Sequence, residues 1–205
     1  MTTQERMIEE QIRGRDVHDA RVLEALARVP RERFVPESSR HEAYEDHPVP
    51  IGHGQTISQP YIVAFMTEAL RLQPSHRVLE IGTGCGYQTA VLAELAREVY
   101  SVEVIAALAD EARVRLGALG CRNAHVRTGD GHHGWPEHAP YDRILVAAAT
   151  EAVPPALVEQ LVDTGILVIP VGAWKQELRI LQKHGPRVDL LGTLGVRFVP
   201  LVHPA

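Results

Sequence analysis

The sequence predicts an α/β fold: a mostly parallel sheet flanked by helices, ended by an antiparallel hairpin and preceded by a helical appendage. Three observations predict it. From residue 76 onward short apolar strands alternate with helical segments, the pattern of parallel strands joined by crossovers. Ahead of residue 76 the apolar residues fall at helical spacing from Thr3 to Val29 and from Gln59 to Leu72, with little periodicity between. Near the end, two alternating segments flank a Gly185-Pro186 turn, which suits a hairpin.

In chain order, Met7, Ile8 and Ile12, then Val22, Leu23 and Leu26, define two short helices between Thr3 and Val29, broken at Gly14 and closed by Pro30. Residues 30 to 60 are rich in Pro, Gly, His and charge. They predict an ordered loop region with one helical turn at Ser38 to Tyr44. A loop of that length inside a compact domain points to function. Gln59 to Leu72 returns to helical spacing. Strands follow at Arg77 to Ile81, Val99 to Glu103, His125 to Arg127, Tyr141 to Ala148 and Gly165 to Val171. Helices are expected at Tyr87 to Ala96, Ile105 to Leu119 and Pro155 to Val162. Leu178 to Gln182 and Leu190 to Val199 form the hairpin. The expected organisation is one structural domain, with residues 1–75 packed as helices and active-site loop on a core of residues 76–205.

Composition narrows the function. A chain of 205 residues with 45% hydrophobic content buries one sizeable core. A formal net charge of -5 provides no field to gather a nucleic-acid backbone or an anionic membrane. Arg28, Arg31 and Arg33 are locally basic but diluted by Glu32 and Glu37, without interleaved aromatics. Two cysteines, Cys85 and Cys121, make no disulfide framework, so a reducing cytoplasm is expected. Met1 to Arg15 has no signal-peptide pattern, and no apolar run is long enough to span a bilayer. No metal is expected: His125, His132, His133 and His138 share no Cys or carboxylate spacing that would complete a tetrahedral set.

The cofactor reading begins at Glu80-Ile81-Gly82-Thr83-Gly84-Cys85-Gly86. A strand, a glycine-rich turn and a helix in succession put backbone N–H groups and a positive helix end at the carboxyl edge of the first core strand, where a nucleotide binds. Glu103 ends the next strand about twenty residues on, placed to accept from both ribose hydroxyls. Asp130, between Gly129 and Gly131, follows the third strand and is expected to accept from an adenine amino group. The dinucleotide fingerprint needs a third glycine where this chain has Tyr87, and Glu80 would repel a pyrophosphate while suiting a sulfonium and an ammonium. The expected cofactor is S-adenosylmethionine, with S-adenosylhomocysteine as product, bound by Glu80, Gly82, Thr83, Gly84, Gly86, Glu103, Asp130 and Gly131. The fold class then becomes a Rossmann-like S-adenosylmethionine-dependent methyltransferase.

With those residues in place, the chain closely resembles the protein-L-isoaspartate O-methyltransferase family from Met7 to Leu201. The likeness rests on Ile51 to Pro60, Val78 to Gly84, Gly86 to Ala90, Ser101 to Glu103, Gly129 to Gly131, Ala139 to Asp142 and Arg197 to Leu201. Gln55 to Pro60 and Phe198 to Leu201 are its most specific parts. The resemblance implies methyl transfer to the free α-carboxylate of isoaspartyl residues in damaged proteins and peptides. It also implies Ser58 as the active-site residue, Thr56, Ile57 and Gln59 as its lining, and Gln176 as a substrate contact. Ala173-Trp174-Lys175 replaces a more glycine-rich, polar loop, and Cys85 stands where serine is commoner. Two other readings compete with it. The altered Trp174 loop motivates an enzyme dedicated to one peptide. A binding module without turnover is opposed by the presence of Ser58, Glu103 and Asp130.

Overall fold

The computed structural model describes residues 1–203. Its core is a seven-stranded sheet in the order β5-β4-β3-β6-β7-β8-β9. These strands are β3 (Arg77–Ile81), β4 (Glu98–Glu103), β5 (Ala124–Thr128), β6 (Tyr141–Val146), β7 (Leu161–Val171), β8 (Gln176–His184) and β9 (Arg187–Val196). β3 pairs in parallel with β4 on one side and β6 on the other, and β5 and β7 extend the parallel run outward. β8 and β9 are antiparallel additions, with Gly185 in the turn between them at φ 55°. The expected mostly parallel sheet with a terminal hairpin is the observed one.

The central parallel strands β3, β4 and β6 are mostly runs of buried residues, as a sheet covered on both faces requires. Along β3, Val78 joins a cluster on the face carrying α2 (Ala20–Arg28), α3 (Pro60–Ala69) and α4 (Tyr87–Ala93), whereas Leu79 and Ile81 join the opposite cluster with Tyr141 and Leu157. The appendage therefore shares a core with the sheet: Leu26 of α2 and Leu145 of β6, both fully buried, belong to one cluster.

The differences from expectation have local causes. The first helix begins as α1 (Thr3–Met7) with a reciprocal Thr2–Glu5 capping box and continues in π-helical form over Ile8–Arg13. The region from 30 to 60 holds 3₁₀ turns at Arg31–Phe34 and Glu37–Glu42, then a small antiparallel pair, β1 (Val49–Gly52) with β2 (Gln55–Ile57). Its turn sits on Gly52, His53 and Gly54, all at positive φ, and the strands are too short to show a period. α6 (Pro155–Glu159) ends before the expected Val162, because the chain enters β7 at Leu161, slips register and passes Thr164 at φ 62° before resuming at Ile166. β9 ends at Val196, so 197–199 is not strand; the chain instead crosses to the carboxyl edge, where Ala149 and Leu201 exchange backbone hydrogen bonds with Val199 and Ala149. Arg31 is wholly buried and forms no part of a basic surface.

If the appendage is part of the same cooperative unit, Leu26→Ala costs the whole protein about 3 kcal/mol, typical for a buried leucine. Denaturant unfolding followed by tryptophan fluorescence, which reports Trp135 packed against the sheet, should shift as a single transition. A separate early transition that leaves that signal untouched would contradict the shared core.

Candidate functional site: a cofactor cavity and an open groove at the carboxyl edge

The connection from β3 leads through β4 to β5 on one side of the sheet, and then to β6 on the other. The carboxyl ends of β3 and β6 therefore diverge at a topological switch point, where open α/β sheets place their ligands. A cavity lies there, walled by the Gly82–Cys85 loop, Glu103, Gly131, Ala147 and the Thr56–Ser58 segment. Gly82 leaves β3 at φ 92°, and a Cβ on it would stand 3.5 Å from the Cβ of Ala147. Gly86, at φ 90°, lets α4 start tight against Ala112 of α5 (Ala106–Ala118) and does not face the cavity.

Glu103 is 5% exposed, and its two oxygens accept from the N–H groups of Gly84 (2.8 Å) and Ile105 (3.0 Å). The carboxylate is fixed at the wall and keeps lone pairs for further donors. Thr83 reaches inward: its hydroxyl pairs with Ser101 at 2.6 Å, and Ser101 donates to Glu80 at 2.6 Å, while Thr89 of α4 also donates to Glu80.

Glu80 itself does not reach the cavity wall. It points into the face under α4, fully buried, with one oxygen bonded and Oε1 without a partner. Burial pushes its carboxyl up to about 7, against the opposing hydrogen bonds from Ser101 and Thr89. The sequence expectation of direct ligand contact is thereby corrected: the side chain of a β3 residue alternates away from Ile81, and its partner on β4 is Ser101.

Asp130 is displaced from its expected role in a similar way. Gly131 lines the cavity, with its missing Cβ 2.3 Å from a methyl of Ile81. The Asp130 carboxylate turns outward to the His132 amide and ring (2.9 and 2.8 Å) and to His203 (2.8 Å). Burial opposes ionisation there, but the bonds from His203 and His132 prevail and hold Asp130 down at about 2. Spacing did not connect these groups, since His203 comes from the far end of the chain. The fold brings Asp130, His132 and His203 together with ligand-type atoms within 4.8 Å.

Beside the cavity runs a wide open groove bordered by Gln59, Ile62, His132, Trp174 and Gln176. Thr56, Ser58, Ala147 and Val199 border both spaces. Ile57 lies on the cavity side and Gln59 on the groove side, its amide donating to Asp46. The side-chain hydroxyl of Ser58 does not cap α3; Gln59 holds the N-cap position, without a side-chain bond. The amide of Gln176 is occupied on both sides by the Phe198 backbone, so it fastens the C-terminal crossing rather than offering free ends to the groove. Trp174 is fully exposed at the β7–β8 turn. Cys85 is buried and its thiol is pushed up by that burial, which keeps it protonated and unreactive. The alanines after β6, Ala147 and Ala148, were missed; small residues at the carboxyl end of a central strand were the available signal.

Among the described residues the cavity wall carries no lysine or arginine, which would suit a pyrophosphate, and its only charged side chain is the Glu103 carboxylate. A single carboxylate on an otherwise uncharged wall fits a nucleoside with a cationic end. Fold and cavity define a Rossmann-like S-adenosylmethionine-dependent methyltransferase. A profile of the protein-L-isoaspartate(D-aspartate) O-methyltransferase family matches residues 2–205. A protein-L-isoaspartate O-methyltransferase of Picosynechococcus sp. is 56% identical over 96% of this chain and 89% of its own. One from Pelobacter propionicus is 57% identical over 96% and 88%. A solved protein-L-isoaspartate O-methyltransferase structure superposes with a TM-score of 0.88 at 30% identity, over 96% of this chain and 65% of that longer one. A Plasmodium falciparum structure in complex with S-adenosyl-L-homocysteine shares the fold, with a TM-score of 0.83 at 24% identity, over 98% of this chain and 99% of that one. The chain belongs to the protein-L-isoaspartate(D-aspartate) O-methyltransferase family, and its cofactor is S-adenosylmethionine.

Two outcomes follow. Because the folded Glu80 carboxyl binds its proton more tightly than the unfolded one, the stability it contributes is full below about pH 4.5 and is lost as pH rises toward about 7. In cofactor-free protein, the unfolding free energy of Glu80→Gln should gain on the wild type by on the order of 3 kcal/mol between pH 4.5 and pH 8. A pH-independent difference in paired denaturation curves would contradict this. Glu103→Ala removes an acceptor at the wall and should weaken S-adenosylhomocysteine binding about ten- to hundredfold by calorimetry; unchanged affinity would place the ribose elsewhere.

Proposed function

We propose that this chain methylates the free α-carboxylate of L-isoaspartyl residues in damaged proteins and peptides, with Ser58 positioning the reacting carboxylate. The observation that carries this reading is the place of Ser58, on the border shared by the cofactor cavity and a groove open enough for a peptide. The ester product closes to a succinimide that reopens partly to normal aspartate, which makes the reaction a repair step.

A carboxylate is ionised and nucleophilic at neutral pH, so no general base is needed. S-adenosylmethionine, when bound, supplies an electrophilic methyl group on a sulfonium. The protein's task is to strip water from the carboxylate, present one oxygen to the methyl and satisfy the other. The Ser58 hydroxyl is a donor for that second oxygen. The Tyr61 and Ile62 amides, in the first turn of α3, make no backbone hydrogen bond among the described residues and add donors at the positive end of the helix. Glu103 accepts from the ribose hydroxyls, and Gly82, Thr83, Gly84 and Gly131 let the nucleoside approach the backbone. Thr56, Ile57 and Gln59 shape the passage from groove to cavity. Glu80 acts at one remove, holding Thr83 through Ser101. The partners are isoaspartyl proteins and peptides, and a cytoplasmic location accords with two unbridged cysteines. No helix among the described residues is long and apolar enough to cross a membrane.

Transfer of labelled methyl to an isoaspartyl peptide, with its aspartyl twin as control, tests the activity; label in neither peptide while cofactor binds removes the reading. Ser58→Ala should lower kcat by about a hundredfold, the scale of losing one positioned donor at a reacting oxygen, and leave S-adenosylhomocysteine affinity nearly as it was. Unchanged turnover would reduce Ser58 to a structural residue.

A further inference from the structure

Arg31 is the most unusual charge in the molecule. It is 0% exposed, and no carboxylate lies within ion-pair distance among the described residues. Its guanidinium donates from Nε to the Ala43 carbonyl at 2.6 Å and from Nη2 to the Ser58 carbonyl at 2.7 Å, while Nη1 is buried without a partner. The group lies over the ring of Tyr87, 4.9 Å from its centroid, and the Tyr87 hydroxyl is likewise buried and unpartnered. Phe34 packs edge-on to the same ring at 5.4 Å. Tyr87, Cys85 and Ser58 all line the cofactor cavity.

Arginine stays protonated in proteins, so a full positive charge is enclosed here with only neutral partners. Burying such a charge is costly, and a hydrophobic side chain of similar volume would pack the site more cheaply if packing were the only need. Two features set this side chain apart from an ordinary core residue. Its rigid fork joins Ala43, in the loop before β1, to the backbone of Ser58, the residue at the junction of cavity and groove. Its charge is left uncompensated beside a wall that, on the function proposed above, receives an anion.

We propose that Arg31 is a positioning residue for methyl transfer: it holds Ser58 through its backbone carbonyl and makes this wall electrostatically favourable to the substrate carboxylate. The proposal rests on the isoaspartyl reading and on the role given there to Ser58. The two properties separate by substitution. Lysine keeps the charge but lacks the planar fork that bonds two carbonyls at once. Methionine keeps the stem volume and loses both. The uncharged α-amide analogue of the isoaspartyl peptide senses the groove but not the charge.

The experiment is steady-state kinetics with an isoaspartyl peptide for wild type, Arg31→Lys and Arg31→Met, with the α-amide peptide as competitive inhibitor and S-adenosylhomocysteine calorimetry to count folded, cofactor-competent protein. Expected for Arg31→Met is a rise in peptide KM of about ten- to hundredfold together with a fall in kcat, at unchanged cofactor affinity and unchanged inhibition by the amide. Expected for Arg31→Lys is a KM near that of the wild type with a lowered kcat. If both variants retain KM, and kcat follows only the fraction of cofactor-competent protein, Arg31 is merely structural and the proposal falls. Should Arg31→Met fail to fold, Arg31→Lys decides: kcat and KM both equal to wild type overturn the proposal. A wild type that leaves the isoaspartyl peptide unmethylated removes the functional reading, and the proposal with it; turnover by the wild type with an indifferent Arg31→Lys removes the proposal alone.

Discussion

The parallel pairing of β3 on both its edges, with β4 and with β6, is the constraint from which the rest of the site follows. Only a strand flanked in this way ends where chain order reverses, and the divergence of its neighbours' connections opens a crevice that the sheet itself does not fill. Gly82 turns away at once at φ 92°, a backbone conformation that favours glycine. Glu103 reaches the same crevice at the end of β4, and Gly131 just past the end of β5. The groups that line the cavity are thus a consequence of strand register more than of any local motif.

Beneath this edge the protein tolerates polar groups in places where burial is expensive. Thr83, Ser101, Glu80 and Thr89 form a hydrogen-bonded series that ties the glycine loop to β4 and to the start of α4. Each donor in that series is satisfied, which is the condition for a buried polar network to stiffen a site instead of weakening it. The unpartnered oxygen of Glu80 and the high affinity of its carboxyl for a proton mark the cost. On the other side of α4, Arg31 and Tyr87 show the same tolerance around Ser58. Members of both groups, Thr83 of the first and Tyr87 of the second, line the cavity.

Much of this was legible in one dimension. The alternation of short apolar runs with helical spacing identified the parallel sheet, since both periods are set by backbone geometry and survive any tertiary context. Tyr87 in place of a third glycine, with Glu80 before and Glu103 after the loop, selected a nucleoside with a cationic end over a dinucleotide. The β1–β2 pair escaped notice because three or four residues are too few to display alternation, and the bulge that lengthens β7 depends on a single residue at positive φ. Ser58 was singled out through resemblance; the N-cap position of the helix behind it belongs to Gln59.

The sequence by itself determined the fold class, the cofactor and the family, because these rest on periodicities and short motifs whose residues act close to one another along the chain. Tertiary structure decided which of the named side chains line the cavity. Glu103 does; Glu80 turns beneath the loop to Ser101, Asp130 turns out to His132 and His203, and Gln176 is taken by Phe198. Arg31, which read as part of a diluted basic cluster, is enclosed against Tyr87 and the Ser58 carbonyl. In every one of these cases the partner lies on another element, and the direction of a polar side chain is settled by where its hydrogen bonds can be made once water has been excluded.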